Sequence, residues 1–311
     1  MSRSIFGQLE VFFAIADEGS LRGAARRLHV SPPSVSQALK GLEERVGLPL
    51  FNRTTRSIEL TEAGRKLYSE ANPALSALGQ AVEGVKDLGK VPAGRVRLTL
   101  PKAAYDLFFR KVYGPFRCAY PEIDLEISIN DATVNIITDG FDAGIRLGDS
   151  VDEGMVARRL TPPVRVALFA TQAYIDRCGI PKTPAELAAH RLIQYRFISS
   201  NQVMPMVLQE QGRESQVEVG QAAVVNNTDV MLDIARKGCG MGRLLEPHIF
   251  RELDSGEFIP ILEEHWVERS GLHLYFPQNS QKARRIRALI DFLDEHRIDD
   301  WDDVRRSDYA I

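Results

Sequence analysis

The side chains with chemical reach in this sequence gather early. Between Ser20 and Ile58 there are seven basic residues and two acidic ones, a net charge of +5 in a 311-residue chain whose total is −3. A basic stretch on an otherwise acidic chain is a footprint of a polyanionic partner, nucleic acid first among them. Inside it, the segment after Ser31 places Val35, Leu39, Leu42 and Val46 within about 40° of one another on a helical wheel. The opposite side carries Pro33, Gln37, Lys40 and Glu44, with Ser34 and Ser36 on its flanks. Amide, hydroxyl and ammonium groups on one helix face can hydrogen-bond base edges and phosphate oxygens.

Enzyme chemistry finds no such grouping. The six histidines (His29, His190, His248, His265, His273 and His296) show neither H-x-x-x-H nor H-E-x-x-H spacing, and no C-x-x-C pairs the cysteines, so no zinc site is expected. Cys118, Cys178 and Cys239 read as structural thiols of a reducing compartment. There is no G-x-S-x-G elbow, Walker lysine loop or G-x-G-x-x-G. The run Gly238 to Gly242 follows a helical pattern, so it reads as a helix stop and tight turn, and Cys239 within it has no histidine motif beside it. The N-terminus has no secretory apolar core, and no run of ~18 apolar residues could span a membrane. The expectation is a cytoplasmic protein that is not an enzyme, uses no cofactor and does not enter a membrane.

The elements that position the polar face follow from local signals. Ile5, Leu9, Phe12, Phe13 and Ala16 recur at helical spacing, Gly19 stops that helix, and Ser20 caps the next, Leu21 to Leu28. Ser31 caps a third helix with Pro32 at its first position. The small pair Ala24-Ala25 and the turn His29-Val30-Ser31 let two helices cross closely, the pattern of a helix-turn-helix. Leu50–Arg53 and Ser57–Leu60 around Thr54-Thr55-Arg56 read as a hairpin wing, and Thr61 caps a further helix. Along that helix Leu67, Ala71, Leu75, Leu78, Val82 and Val85 fall at near-heptad spacing, a seam for a second copy of the chain, with loosening expected at Pro73. Lys90 to Gly94 reads as a hinge.

The run FFAIADEGSLRGAARRLHVSPPSVSQALKGLEERVGLPLFNRTTRSIELTEAG resembles the winged helix-turn-helix of LysR-type bacterial transcriptional regulators. Its landmarks GSLRGAARRL, SPPSVSQALKGLE, LFNR and LTEAG stand in that family's order. The resemblance implies that Pro33, Ser34, Ser36, Gln37 and Lys40 face the major groove of double-stranded DNA. Gln37 suits bidentate readout of adenine, and Lys40 suits guanine or a phosphate. It also implies that Arg53, Thr54 and Arg56 of the wing meet the DNA backbone or minor groove. Ser34 and Ser36 can alternatively help cap the helix, and Glu43 is expected to serve as a partner within the domain. The family layout further implies a homodimer or homotetramer, a small-molecule effector and RNA polymerase as a partner.

After the hinge, strands expected at Val96–Leu100, Leu125–Ile129, Asp142–Leu147, Val164–Ala170, Leu192–Tyr195, Val217–Val225 and Leu272–Phe276 alternate with helices. The helices are expected at 101–119, Thr171–Arg177, Pro184–Ala189, Thr228–Lys237, Pro247–Leu253 and Ser280–His296. The whole is therefore an α+β multidomain chain. It comprises a winged helix-turn-helix (1–60), a linker and dimerisation helix (61–89), a hinge (90–94) and a two-lobed α/β effector domain (95–311). The resemblance implies that this last part is similar to periplasmic solute-binding proteins, with lobe I near 95–161 and 272–311 and lobe II near 162–271. FDAGIRLGD, GMVARRL and VNNTDVMLDIARKGCGMG are similar to a CrgA-like subgroup. In that fold a ligand lies between the lobes, at strand C-termini and helix N-termini. The implied lining is Pro101, Lys102, Ala103, Asp131, Ala132, Arg146, Phe169, Ser200, Asn226, Thr228 and Arg243. Lys102, opening a helix, is the anchor expected for an organic anion, while Arg146 and Arg243 can equally be structural ion-pair partners. The alternative function is a cytosolic small-molecule receptor without direct gene regulation.

Overall fold

A computed structural model describes residues 4–53, 58–86, 91–132, 134–137, 139–150, 154–278 and 280–307. The chain divides into two compact units, Met1–Val82 with Ile137–Gly140, and Glu83–Ile136 with Phe141–Ile311.

In the first unit, α1 (Ile5–Glu18), α2 (Leu21–Arg27) and α3 (Pro32–Val46) precede the short strands β1 (Phe51–Arg53) and β2 (Ile58–Leu60) and the 25-residue helix α4 (Glu62–Lys86). The stops and caps work as expected. Gly19 leaves α1 at φ +59, the Ser20 hydroxyl accepts the Gly23 N–H at 3.0 Å, and the Ser31 hydroxyl accepts the Ser34 N–H at 3.4 Å. Phe12, Ile15, Ala24, Ala25, Val35, Ala38, Leu39, Leu42 and Leu50 form one buried core. Val46 is instead exposed, because α3 ends there and Gly47, at φ +76, turns the chain away before Leu50 re-enters. The wing pairs antiparallel, Phe51 with Leu60 and Arg53 with Ile58. Thr61 caps α4 by accepting the Gly64 N–H at 3.0 Å and donating to the Pro49 carbonyl at 2.8 Å. Helix α4 continues through Pro73 rather than ending near it.

The second unit carries two lobes. In lobe I the five-stranded sheet has β3 (Gly94–Leu100) between β4 (Ile123–Ile129) and β5 (Ala143–Leu147), and β5 is followed across the sheet by β15 (Leu272–Pro277) and β6 (Met155–Arg159). β3 pairs parallel with β4, as strand-helix-strand alternation predicts, and also with β5. The connecting helix is α-helical at Lys102–Ala104, π-helical at Tyr105–Phe109 and α-helical again at Arg110–Ala119, with Phe108, Val112 and Phe116 buried.

Lobe II is built on β7 (Val164–Ala170), which bonds antiparallel to β12 (Gly242–Leu245), β13 (Ile259–Pro260) and β14 (Glu268–Arg269). A parallel pair, β8 (Arg191–Tyr195) with β11 (Gly220–Val225), continues it through a Leu192–Met241 bridge. The hairpin β9 (Val207–Glu210) and β10 (Arg213–Gln216) turns on Gln211 and Gly212, both at positive φ. Expected strand 217–225 therefore shortens to β11, while β6 and this hairpin were not anticipated. A helix at Trp301–Ser307 is also additional. Its Trp301 Nε1–H donates to the Pro163 carbonyl at 3.0 Å, and Arg305 pairs with Asp254 of lobe II. The lobes join where the chain crosses at Thr161 and Leu272, the Leu272 N–H donating to the buried Thr161 hydroxyl at 2.8 Å.

Candidate nucleic-acid interface and ligand cleft

One face of α3 builds the three-helix core, and the other carries polar groups. Pro33, Gln37 and Lys40 are exposed, and Ser34 and Ser36 are half-buried at the rim. Lys40 lies 3.7 Å from Glu44, both side chains well into solvent, so this pair holds the ammonium only weakly. The Ser34 hydroxyl is 3.0 Å from that of Ser31, which gives it a part in the cap. Glu43 turns inward and accepts the Leu50 N–H at 2.8 Å, tying the end of α3 to the wing. Asp17 fixes three helices at once: Arg27 donates to it at 2.7 Å and the Tyr68 hydroxyl at 2.8 Å. Arg53 ends β1, and its side chain lies outside the described residues, as do Thr54 and Arg56.

On α4, Leu67, Ala71 and Leu75 are half-buried against the core of their own unit, whereas Leu78 is 51% exposed. The first half of the apolar stripe is thus engaged within the chain, and Leu78 is its first member that the unit's own core leaves open. The side chains of Val82 and Val85 are outside the description.

Between the lobes of the second unit lies a cleft of about 480 Å³. Of the expected lining it contains Pro101, Lys102, Ala103, Asp131, Arg146, Thr228 and Arg243. Four expected residues fall elsewhere. Phe169 points into the lobe II core, 4.5 Å from the Phe258 ring centroid and lying across Gly242 of the neighbouring strand, where a Cβ would come within 2.4 Å of it. Ala132 stands behind the wall, its carbonyl accepting from Arg146 at 3.2 Å. Ser200 and Asn226 are exposed on loops. Tyr195, Phe197, Met204, Val207 and His248, which the sequence did not suggest, complete the wall from lobe II.

The charges in the cleft are already partly spent. Lys102 donates to Asp106 at 2.5 Å and lies 3.3 Å from Asp229 across the lobes. Burial penalises its ammonium, yet the two carboxylates outweigh that and raise its pKa. Its backbone N–H donates to Asp131 at 2.9 Å, so a carboxylate of this chain already caps that helix start. Arg146 is buried and donates to the carbonyls of Ile145, Asn130 and Ala132, and burial lowers its pKa. Arg243 donates to the Pro205 carbonyl at 2.6 Å, and burial together with nearby Arg269 lowers it to about 10. Among the described residues the hydrogen-bond partners of both arginines are carbonyls rather than the acidic ion-pair partners considered from sequence.

Among the described residues neither ring nitrogen of His248 makes a hydrogen bond of good geometry, although the ring lies against the backbone of Leu245. Burial pushes the His248 pKa from 6.5 down to about 4, with Asp106, the Leu245 backbone and Asp229 pulling upward and Lys102 downward. Between those values the unfolded chain binds a proton that the folded chain refuses. Stability is therefore complete above pH 6.5 and falls as the pH drops to 4, by about 3 kcal/mol from this group. Urea titrations at pH 7 and pH 4.5 should show His248→Gln losing less stability on acidification than the parent. An identical loss in both would remove His248 as the source.

Two family models divide the chain between them. The bacterial regulatory helix-turn-helix protein, lysR family, matches residues 6–65, and the LysR substrate binding domain matches residues 89–297. The chain is 33% identical over 282 residues to the HTH-type transcriptional regulator YcaN of Escherichia coli, covering 91% of this chain and 92% of that one. The chain belongs to the LysR family. The LysR-type regulator CrgA of Neisseria meningitidis superposes with a TM-score of 0.58 at 25% identity, over 95% of this chain and 99% of that one. Full-length AphB of Vibrio cholerae shares the fold, with a TM-score of 0.65 at 21% identity over 94% and 99% of the two chains. LysR regulators bind DNA and small-molecule effectors, and the helix-turn-helix match falls in the first unit while the substrate-binding match falls mostly in the second. The protein is a transcriptional regulator and not an enzyme. No helix among the described residues is long and apolar enough to cross a membrane.

Proposed function

We propose that this LysR regulator works in the cytoplasm as a homodimer or homotetramer that reads a two-fold operator through α3. An organic anion held between the lobes adjusts that binding, no cofactor takes part, and RNA polymerase is the further partner. The observation that carries the DNA reading is the division of α3. Val35, Ala38, Leu39 and Leu42 are fully buried, which locks the helix and leaves Gln37 and Lys40 exposed on the opposite side. A rigid helix presenting an amide and an ammonium matches the donor and acceptor pattern of the major groove. The anion follows from the cationic wall, where Lys102, Arg146, Arg243 and Arg269 line one cleft.

Gln37→Ala is the test. It is expected to cost ~1–3 kcal/mol on the preferred duplex while leaving binding to random duplex unchanged. Equal losses on both duplexes in a fluorescence-anisotropy titration would remove Gln37 as a reader of bases.

A further inference from the structure

Four cationic side chains line the cleft, but they are not equally available. Lys102 is committed to Asp106 and Asp229, and Asp131 occupies the helix start beside it. Arg269 is held by both oxygens of Glu214. Arg146 spends its guanidinium on three backbone carbonyls. Arg243 makes one hydrogen bond among the described residues, to the Pro205 carbonyl, out of five N–H groups. It has no carboxylate at ion-pair distance there; burial and the nearby Arg269 lower its pKa, with Glu214 opposing them. A half-buried guanidinium on the cleft wall with most of its N–H groups uncommitted is one that a ligand carboxylate can satisfy in bidentate fashion. The rest of the wall offers apolar surface, from Val166, Phe197, Met204, Val207, Leu244 and Leu272. A second anionic group would meet Asp131 and Asp149 rather than another unspent cation.

We propose that the cleft takes a monocarboxylate with an apolar body, aromatic or aliphatic, whose carboxylate is clamped by Arg243. This inference rests on the reading of the second unit as an effector sensor and moves the anchor away from Lys102. Lys102 instead ties the lobes together through Asp229, 127 residues away in sequence.

The full-length chain is tested by thermal shift and calorimetry against benzoate, phenylacetate, hexanoate and octanoate. Their neutral amides, the dicarboxylates succinate and adipate, and glucose serve as controls. A monocarboxylate is expected to raise the melting temperature where its amide does not. Arg243→Gln should weaken that binding at least tenfold and Arg243→Lys, which keeps charge but loses the fork, by an intermediate amount. Lys102→Gln should weaken that binding less than Arg243→Gln does, since the ion pairs it breaks are not the ligand's. Stabilisation by dicarboxylates, amides or glucose alone overturns the monocarboxylate while sparing the effector reading. Silence from every compound overturns both. A carboxylate that survives Arg243→Gln but not Lys102→Gln overturns the anchor. Each variant's melting profile without ligand, measured in parallel, reports folding of the second unit in the same preparation.

Discussion

Leu78→Asp is expected to yield a monomer whose affinity for its preferred duplex has fallen at least a hundredfold. Leu78 is the first residue of the α4 stripe that the chain's own core does not cover: Leu67, Ala71 and Leu75 pack inward, and Leu78 is 51% exposed. A two-fold interface repeats any substitution on both copies, so two carboxylates would be placed in an apolar seam without partners. Because Leu78 contributes nothing to the core of its own unit, helix content should not change. The loss on DNA comes from arithmetic rather than from a contact. A dimer grips two half-sites, and the second is bound at an effective concentration worth 10²–10⁴ in affinity. Sedimentation would show the change of state. A variant that remains dimeric would mean that α4 does not form the seam.

Gly271→Val is expected to destabilise the second unit by about 3 kcal/mol or more. Gly271 sits where the chain crosses between lobes. A Cβ there would lie 2.2 Å from the carbonyl oxygens of both Thr161 and Pro162, which are backbone atoms that cannot rotate aside. The two crossing segments would have to separate, at the expense of the Leu272 bond to the Thr161 hydroxyl and the packing of Leu160 and Leu272 in the lobe I core. The first unit, with its own core, is expected to keep its transition, so calorimetry should show one event moved and one unmoved. A cost below 1 kcal/mol would show that the crossing relaxes freely.

What the sequence made legible was what is decided locally. Ser20, Ser31 and Gly19 are caps and stops whose partners lie within three residues, so α1 to α3 could be bounded from spacing alone. β3 and β4 alternate in polarity and flank one helix, which fixes their parallel pairing. The edge strand β6, Met-Val-Ala-Arg-Arg, has one neighbour and no fully buried residue, only Val156 packing partly on the core, and so carries no alternation. The β9–β10 hairpin shows itself only through Gln211-Gly212, a turn whose first residue is an unusual choice for positive φ. The cleft was half legible for the same reason. Placing Lys102 at a helix start is a local inference, but its capture by Asp229 is not. Phe169 stands on a strand near the cleft, but its ring is claimed by Phe258 and by the space above Gly242, a choice made only in the packed core.

The central claim is that α3 of a two-fold assembly reads DNA. Selection from a library of random duplexes by the full-length chain tests it most directly, with Gln37→Ala run beside it. The account predicts an enriched sequence of two related half-sites about one helical turn or a multiple of it apart, and loss of preference at one position in each half-site for the variant. Recovery of duplexes with no shared sequence, or of the same sequence at undiminished preference with Gln37→Ala, would contradict it.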